Sequence, residues 1–218
     1  DGRLPAGGHA HSYGLEAATR RLGVRDADAV IEFTLERLRS TGLTEAAITA
    51  HVCRRSSAGL THWEFRLLDA EIDARLPAPS QRSTSRQLGR QARRIGRAMW
   101  PDHALLAAAP ASTLGDHQSV VWGMLADAAD CTPVEAATLS LHHLATSMIS
   151  AGVRLLALDP IDAHGRLTAA APTISQIAER AATCSLVDDP ADLPADTTPI
   201  ADVLAELHLV NEHRLFQS

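Results

Sequence analysis

Residues 82–99, from Arg82 to Met99, read RSTSRQLGRQARRIGRAM, and two stripes run along them. At 3.6 residues per turn, Arg82, Arg86, Arg90, Arg93, Arg94 and Arg97 fall within an arc of about 120°. Leu88, Ala92, Ile95 and Met99 fall on the opposite side. A helix accounts for both stripes at once and a strand accounts for neither. The segment follows Pro77 and Pro79, which suit the entry to a helix better than its interior.

Downstream, residues 132–158 read TPVEAATLSLHHLATSMISAGVRLLAL. Thr132 and Glu135 make a capping box, and Pro133 takes the first helical position, where its missing N–H is no loss. Unbroken to Leu158, this helix would span about 39 Å. Its apolar residues, among them Leu141, Leu144, Met148 and Ile149, point in nearly all directions, the pattern of a buried central helix. His142, His143, Thr146, Ser147, Ser150 and Arg154 interrupt it and argue against a membrane span.

Upstream, Asp26 caps a helix with Val30, Ile31, Leu35 and Leu38 near one face, and Thr44 opens the next. Thr61 and Glu64 form a second capping box, followed by Phe65, Leu68 and Ile72 at helical spacing. Another helix runs from about Thr173 to Cys184. No convincing strand and no internal repeat is present. The expected fold is all-α: one domain over residues 1–218, a helical bundle with a long central buried helix. Residues 1–13 form an extended entry loop, 186–199 a linker rich in Asp, Pro and Thr, and 200–218 a C-terminal helix and tail.

Composition agrees. Apolar residues make up 45% and aromatics only 3% of 218 residues, with Ala and Leu dominant, which favours helix over sheet. All 20 basic residues are Arg, the mark of a GC-rich coding sequence, and the net charge is −6. That charge opposes general nucleic-acid binding. Three scattered cysteines, Cys53, Cys131 and Cys184, offer no disulfide framework and fit a reducing, cytoplasmic setting.

Catalytic patterns are missing. No HExxH, GxSxG or P-loop spacing occurs, so neither an enzyme nor a cofactor is expected. Of the eleven histidines, His9 and His11 are the best metal pair. In an extended segment they share a face, and imidazole suits a transiently held nickel ion. A metal-dependent enzyme built on them is one alternative function. The arginine stripe admits three readings: a solvated face salt-bridged to the acidic helix carrying Glu71 and Asp73, a surface for an acidic protein, or a nucleic-acid module. The solvated face is the commonest outcome of such a pattern.

The run Leu4-Pro5-Ala6-Gly7-Gly8-His9-Ala10-His11-Ser12-Tyr13-Gly14-Leu15-Glu16 resembles the N-terminal signature of the UreF family, roughly L-P-x-G-G-F-S-H-S-x-G-L-E. His9 and Ala10 stand where that signature has an aromatic and a serine. The similarity continues through Ser85–Arg90, through Gly152-Val153-Arg154-Leu155, and to the closing Arg214-Leu215-Phe216-Gln217-Ser218. Two segments depart from the family pattern: residues 159–165, where a Gly-rich loop is usual, and residues 211–213 before the tail. The resemblance implies a dimeric, all-α, non-enzymatic protein that bridges UreD (also called UreH) and the GTPase UreG during nickel loading of apo-urease. It also implies a motif loop of Gly7, Gly8, His11, Ser12 and Gly14, and partner contacts at Tyr13, Glu16, Arg214, Leu215 and Phe216.

Overall fold

Thr132 and Glu135 close the capping box that their spacing predicts. The Thr132 hydroxyl accepts from the Glu135 N–H at 3.3 Å, and the Glu135 carboxylate accepts from the Thr132 N–H at 2.8 Å. These bonds hold the Glu135 carboxyl below its usual pKa. Helix α8, Pro133–Leu156, grows from this start. The computed structural model describes residues 11–110, 112–113, 115–209 and 215–216, and every regular element among them is helical.

Around α8 the chain lays α1 (Leu15–Arg21), α2 (Ala27–Arg37), α3 (Leu43–Ser57), α4 (His62–Arg75), α5 (Pro79–Met99), α6 (Ala104–Ala107), α7 (Gln118–Ala128), α9 (Pro160–Ala169), α10 (Ala171–Cys184) and α11 (Pro199–Leu209). A π-helical turn, Leu38–Gly42, joins α2 to α3 with no intervening loop. Helix α8 packs against α1, α2, α3, α7, α9 and α10. Leu141, Ala145, Met148 and Ala151 are wholly buried along it, as expected for the central helix.

Two apolar cores share α3. One gathers Leu15, Leu38, Leu43, Leu141, Met148 and Ile177; the other gathers Ile48, Val52, Phe65, Leu68, Leu106 and Met124. The crossing of α3 and α7 depends on Gly123, where a β-carbon would sit 2.7 Å from the Thr49 carbonyl oxygen. Only a residue without a side chain lets those two backbones approach so closely.

The structure revises three readings of the sequence and adds one helix, α7, that none of them named. Helix α8 stops at Leu156, because Ala157 turns into the left-handed region at φ 50°. Residues 159–165, expected as loop, begin α9: the Asp159 side chain accepts from the Ile161 N–H at 2.8 Å and Pro160 takes the first position. Helix α7 carries no polar stripe to announce it. Finally, the 186–199 stretch holds a 3-10 turn, Pro190–Asp192, and is tied down along its length. The Arg75 guanidinium donates to the carbonyls of Pro190, Ala191, Leu193 and Pro194 at 2.9–3.2 Å. Arg54 does the same for Ser185 and Val187.

Candidate functional site

The family-motif loop enters α1 through two consecutive left-handed residues, Tyr13 at φ 53° and Gly14 at φ 88°. Tyrosine takes that conformation at a cost that glycine escapes. Ser12, wholly buried, then anchors the first turn: its carbonyl accepts from Leu15 N–H at 3.0 Å and its hydroxyl faces Glu16 N–H at 3.4 Å.

Glu16 lies inside the molecule, 0% exposed. Its carboxylate accepts from Arg20 at 2.8 Å, from Leu215 N–H at 3.1 Å and from Phe216 N–H at 3.1 Å. A cation and two consecutive backbone N–H groups thus satisfy a charge that burial alone would penalise by several kcal/mol (about 3–5 when a partner is lost). Phe216 is buried beneath Arg154, whose guanidinium carbon lies 4.4 Å from the ring centroid. Leu215 is 73% exposed. The signature loop and the C-terminal tail, about 200 residues apart, therefore meet at one carboxylate.

Among the residues singled out from sequence, this seam unites Ser12, Tyr13, Gly14, Glu16, Leu215 and Phe216. Gly7, Gly8, His9 and Arg214 lie outside the described residues. His11 is buried, its ring 6.4 Å from that of Tyr13, and desolvation holds its pKa below the usual value. No cluster of three or more His, Cys, Asp or Glu able to hold a metal ion occurs among the described residues.

The arginine stripe corrects the solvated-face expectation. Arg86 and Arg93 are 4% and 5% exposed, and they hold together the layer of α4, α5 and α7. Arg86 grips Asp69 with both terminal nitrogens, at 3.0 and 3.1 Å, and reaches Asp73 at 2.7 Å. It also donates to the Gly115 carbonyl. Arg93 pairs with the buried Asp116 and donates to the carbonyls of Leu105 and Ala108. Arg97 folds back onto the carbonyls of Leu106, Ala107 and Ala108 at 2.6–3.0 Å. The planar five-donor guanidinium can collect several carbonyls at once, which a lysine could not. Arg90 and Arg94 remain exposed. The stripe is thus divided: Arg86 and Arg93 are taken up by internal contacts, and Arg90, Arg94 and Arg97 form its exposed part. Glu71 pairs with Arg75 on its own helix, and Asp73 alone of the expected acidic pair meets the stripe.

One row of this lattice escaped the sequence. His117, wholly buried, contacts Asp73 through Nε2 at 3.0 Å and Ser85 Oγ through Nδ1 at 3.1 Å. The order resembles a hydrolytic triad, but its use here is structural. Ser85 Oγ also accepts from the Gln118 N–H at 3.2 Å, capping α7, and the second Asp73 oxygen is taken by Arg86. Burial, then the neighbouring Arg86, lowers the His117 pKa and favours the neutral ring. No spacing rule links positions 73, 85 and 117, so only the folded chain reveals the row.

No helix among the described residues is long and apolar enough to cross a membrane. A family model described as UreF matches residues 24–171. Proteins named urease accessory protein UreF align along the whole chain. The one from Mycobacterium sp. (strain JLS) is 36% identical over 218 residues, covering 100% of this chain and 95% of the relative. That from Mycolicibacterium vanbaalenii is 36% identical over 220 residues with the same coverage, and that from Mycobacterium tuberculosis (strain H37Rv) is 34% identical over 218 residues.

Proposed function

Because the chain belongs to the UreF family of urease accessory proteins, we propose that it bridges UreD and the GTPase UreG while nickel is loaded into apo-urease. As a family member it is an accessory protein and not an enzyme. The observation that carries the reading is the seam at Glu16, where the family-motif loop and the C-terminal tail form one surface. Exposed Leu215 and half-buried Tyr13 are the contact residues proposed there, with buried Glu16 and Phe216 setting their position. Tyr13 and Leu215, each set in place by the buried first turn of α1, then form the epitope proposed for UreD. Arg214, adjoining it in sequence, is proposed as a contact to UreG. The protein works in the cytoplasm as a homodimer, and nickel is held at His9 and the buried His11 only transiently.

The test is co-purification under reducing conditions. Wild-type chain should retain UreD and then recruit UreG, and light scattering should give twice the chain mass. Leu215→Asp should weaken retention of UreD about tenfold or more, as loss of an interface anchor does, while thermal stability stays unchanged. Failure of the wild-type chain to retain either partner would sink the proposal.

A further inference from the structure

A cavity of about 40 Å³ lies behind the Tyr13–Gly14 turn, between α2, α3, α5 and α7. Its lining includes Tyr13, Arg37, Glu45, Gln81, Thr84 and Gln118. Three polar atoms of these side chains, Arg37 Nε, Arg37 Nη1 and Gln81 Oε1, are buried with no hydrogen-bond partner among the described residues, and the buried Tyr13 hydroxyl has the Gln118 and Ser147 side chains beside it. Arg37 is only 6% exposed, and no ion pair closes on it among the described residues. A buried guanidinium left so would be costly, and buried polar groups in folded proteins almost always find partners, protein or water.

The π-helical turn explains how the two charges come to share the cavity. Arg37 precedes it and Glu45 follows it, eight positions apart. On a regular helix they would point about 80° apart. The extra residue of a π-turn realigns them as residues seven apart, within about 20° of one line. Both then face one space without touching; burial pushes the Glu45 pKa up while Arg37 opposes that shift, and Asp202 adds to the negative field at Arg37. An anion is therefore disfavoured. The unpartnered atoms are two donors, on Arg37, and one acceptor, on Gln81, while the Glu45 carboxyl offers further acceptors. The occupant must both accept and donate.

We infer that this cavity is a resident water site, in which about three water molecules close the ion pair between Arg37 and Glu45 and tie the Tyr13 hydroxyl to it. At roughly 10–15 Å³ per molecule the space holds that number. The waters satisfy every orphan atom and hold the strained Tyr13 turn against the π-turn. The positioning of the motif loop is thus solvent-built, independently of which partner the loop meets.

Deuteron relaxation dispersion of the full chain in water tests this, since it counts water molecules with long residence. Arg37→Leu combined with Glu45→Leu fills and neutralises the cavity. The dispersion amplitude should then fall by the equivalent of about three waters. Gln81→Leu, a milder change that keeps the charges, should remove at least one and serves if the double variant does not fold. Tyr13 is the sole tyrosine of the chain, so a magnetisation transfer from water to its ring is an assignable second signal and should be present in wild type. An unchanged amplitude in folded Gln81→Leu, or no transfer to Tyr13, overturns the inference. So does a solute other than water retained through dialysis and identified by native mass spectrometry.

Discussion

The seam at Glu16 and the lattice around Arg86 both hide carboxylates from water beside arginine, yet they differ in what encloses them. In the lattice the partners lie 9 to 44 residues apart and the arginines reach inward to carbonyls of neighbouring loops. Asp69 and Asp116 are enclosed by α4, α5, α7 and the loops between them, and Asp73 keeps an exposed edge. At the seam the partners lie 199 and 200 residues apart, and the tail that covers Glu16 turns Leu215 outward. Enclosure by several elements at once ties the inner carboxylates into the bundle itself. Enclosure by a single strap produces a surface whose shape depends on the strap, which is what a partner can read.

Experiments that break this contrast should show graded effects. The largest belongs to the lattice: Arg86→Met strips Asp69 of its bidentate partner and should cost about 3–5 kcal/mol, read from urea unfolding. Gly89→Ala comes next, because a β-carbon there would overlap the Asp116 carbonyl oxygen. A loss of about 3 kcal/mol follows from such overpacking, and an unchanged midpoint would mean α5 and the Asp116 loop are free to separate.

At the seam, Glu16→Gln replaces a charged acceptor and should cost about 2 kcal/mol. It should also make the C-terminal tail cleavable by dilute protease, whereas Arg86→Met should leave tail cleavage tied to global unfolding. Equal protection of the tail in both variants would erase the distinction drawn here.

The pH response sharpens the comparison further. Burial lowers the pKa of His11, His51 and His117 in the fold, while the unfolded chain titrates near 6.5. Below that pH the unfolded state binds more protons, so stability present at pH 7 is lost as pH falls toward the folded values. Unfolding midpoints measured between pH 7.5 and 5.5 should decline, and His117→Gln should flatten the decline. The smallest effect is assigned to the exposed part of the stripe: Arg94→Ala should stay within about 0.5 kcal/mol of wild type. A larger loss would show that the whole stripe, not its inner half, holds the bundle.

Much of this was legible in the residues. The capping boxes at Thr61 and Thr132, the Asp26 cap and the α5 stripes each announce a helix, and the structure forms each of them. The GGxxHS-type loop identified the family and drew the eye to Ser12, Tyr13, Gly14 and Glu16. What stayed hidden was burial. Arg86 and Arg90 look alike in a stripe, as do Leu88 and Met99 on the other side, yet Leu88 is buried and Met99 is 57% exposed. Helix α7 was missed for a related reason: its cap is Ser85, a side chain 33 residues away.

The division has a simple physical origin. Helix starts, stops and amphipathic faces depend on bonds and side chains within about four positions of one another, so the amino-acid string decides them locally. Which face is then covered, whether a carboxylate meets an arginine or a backbone N–H, and where a π-turn leaves two charges across a cavity depend on elements brought together from distant positions. Those outcomes were decided by packing alone.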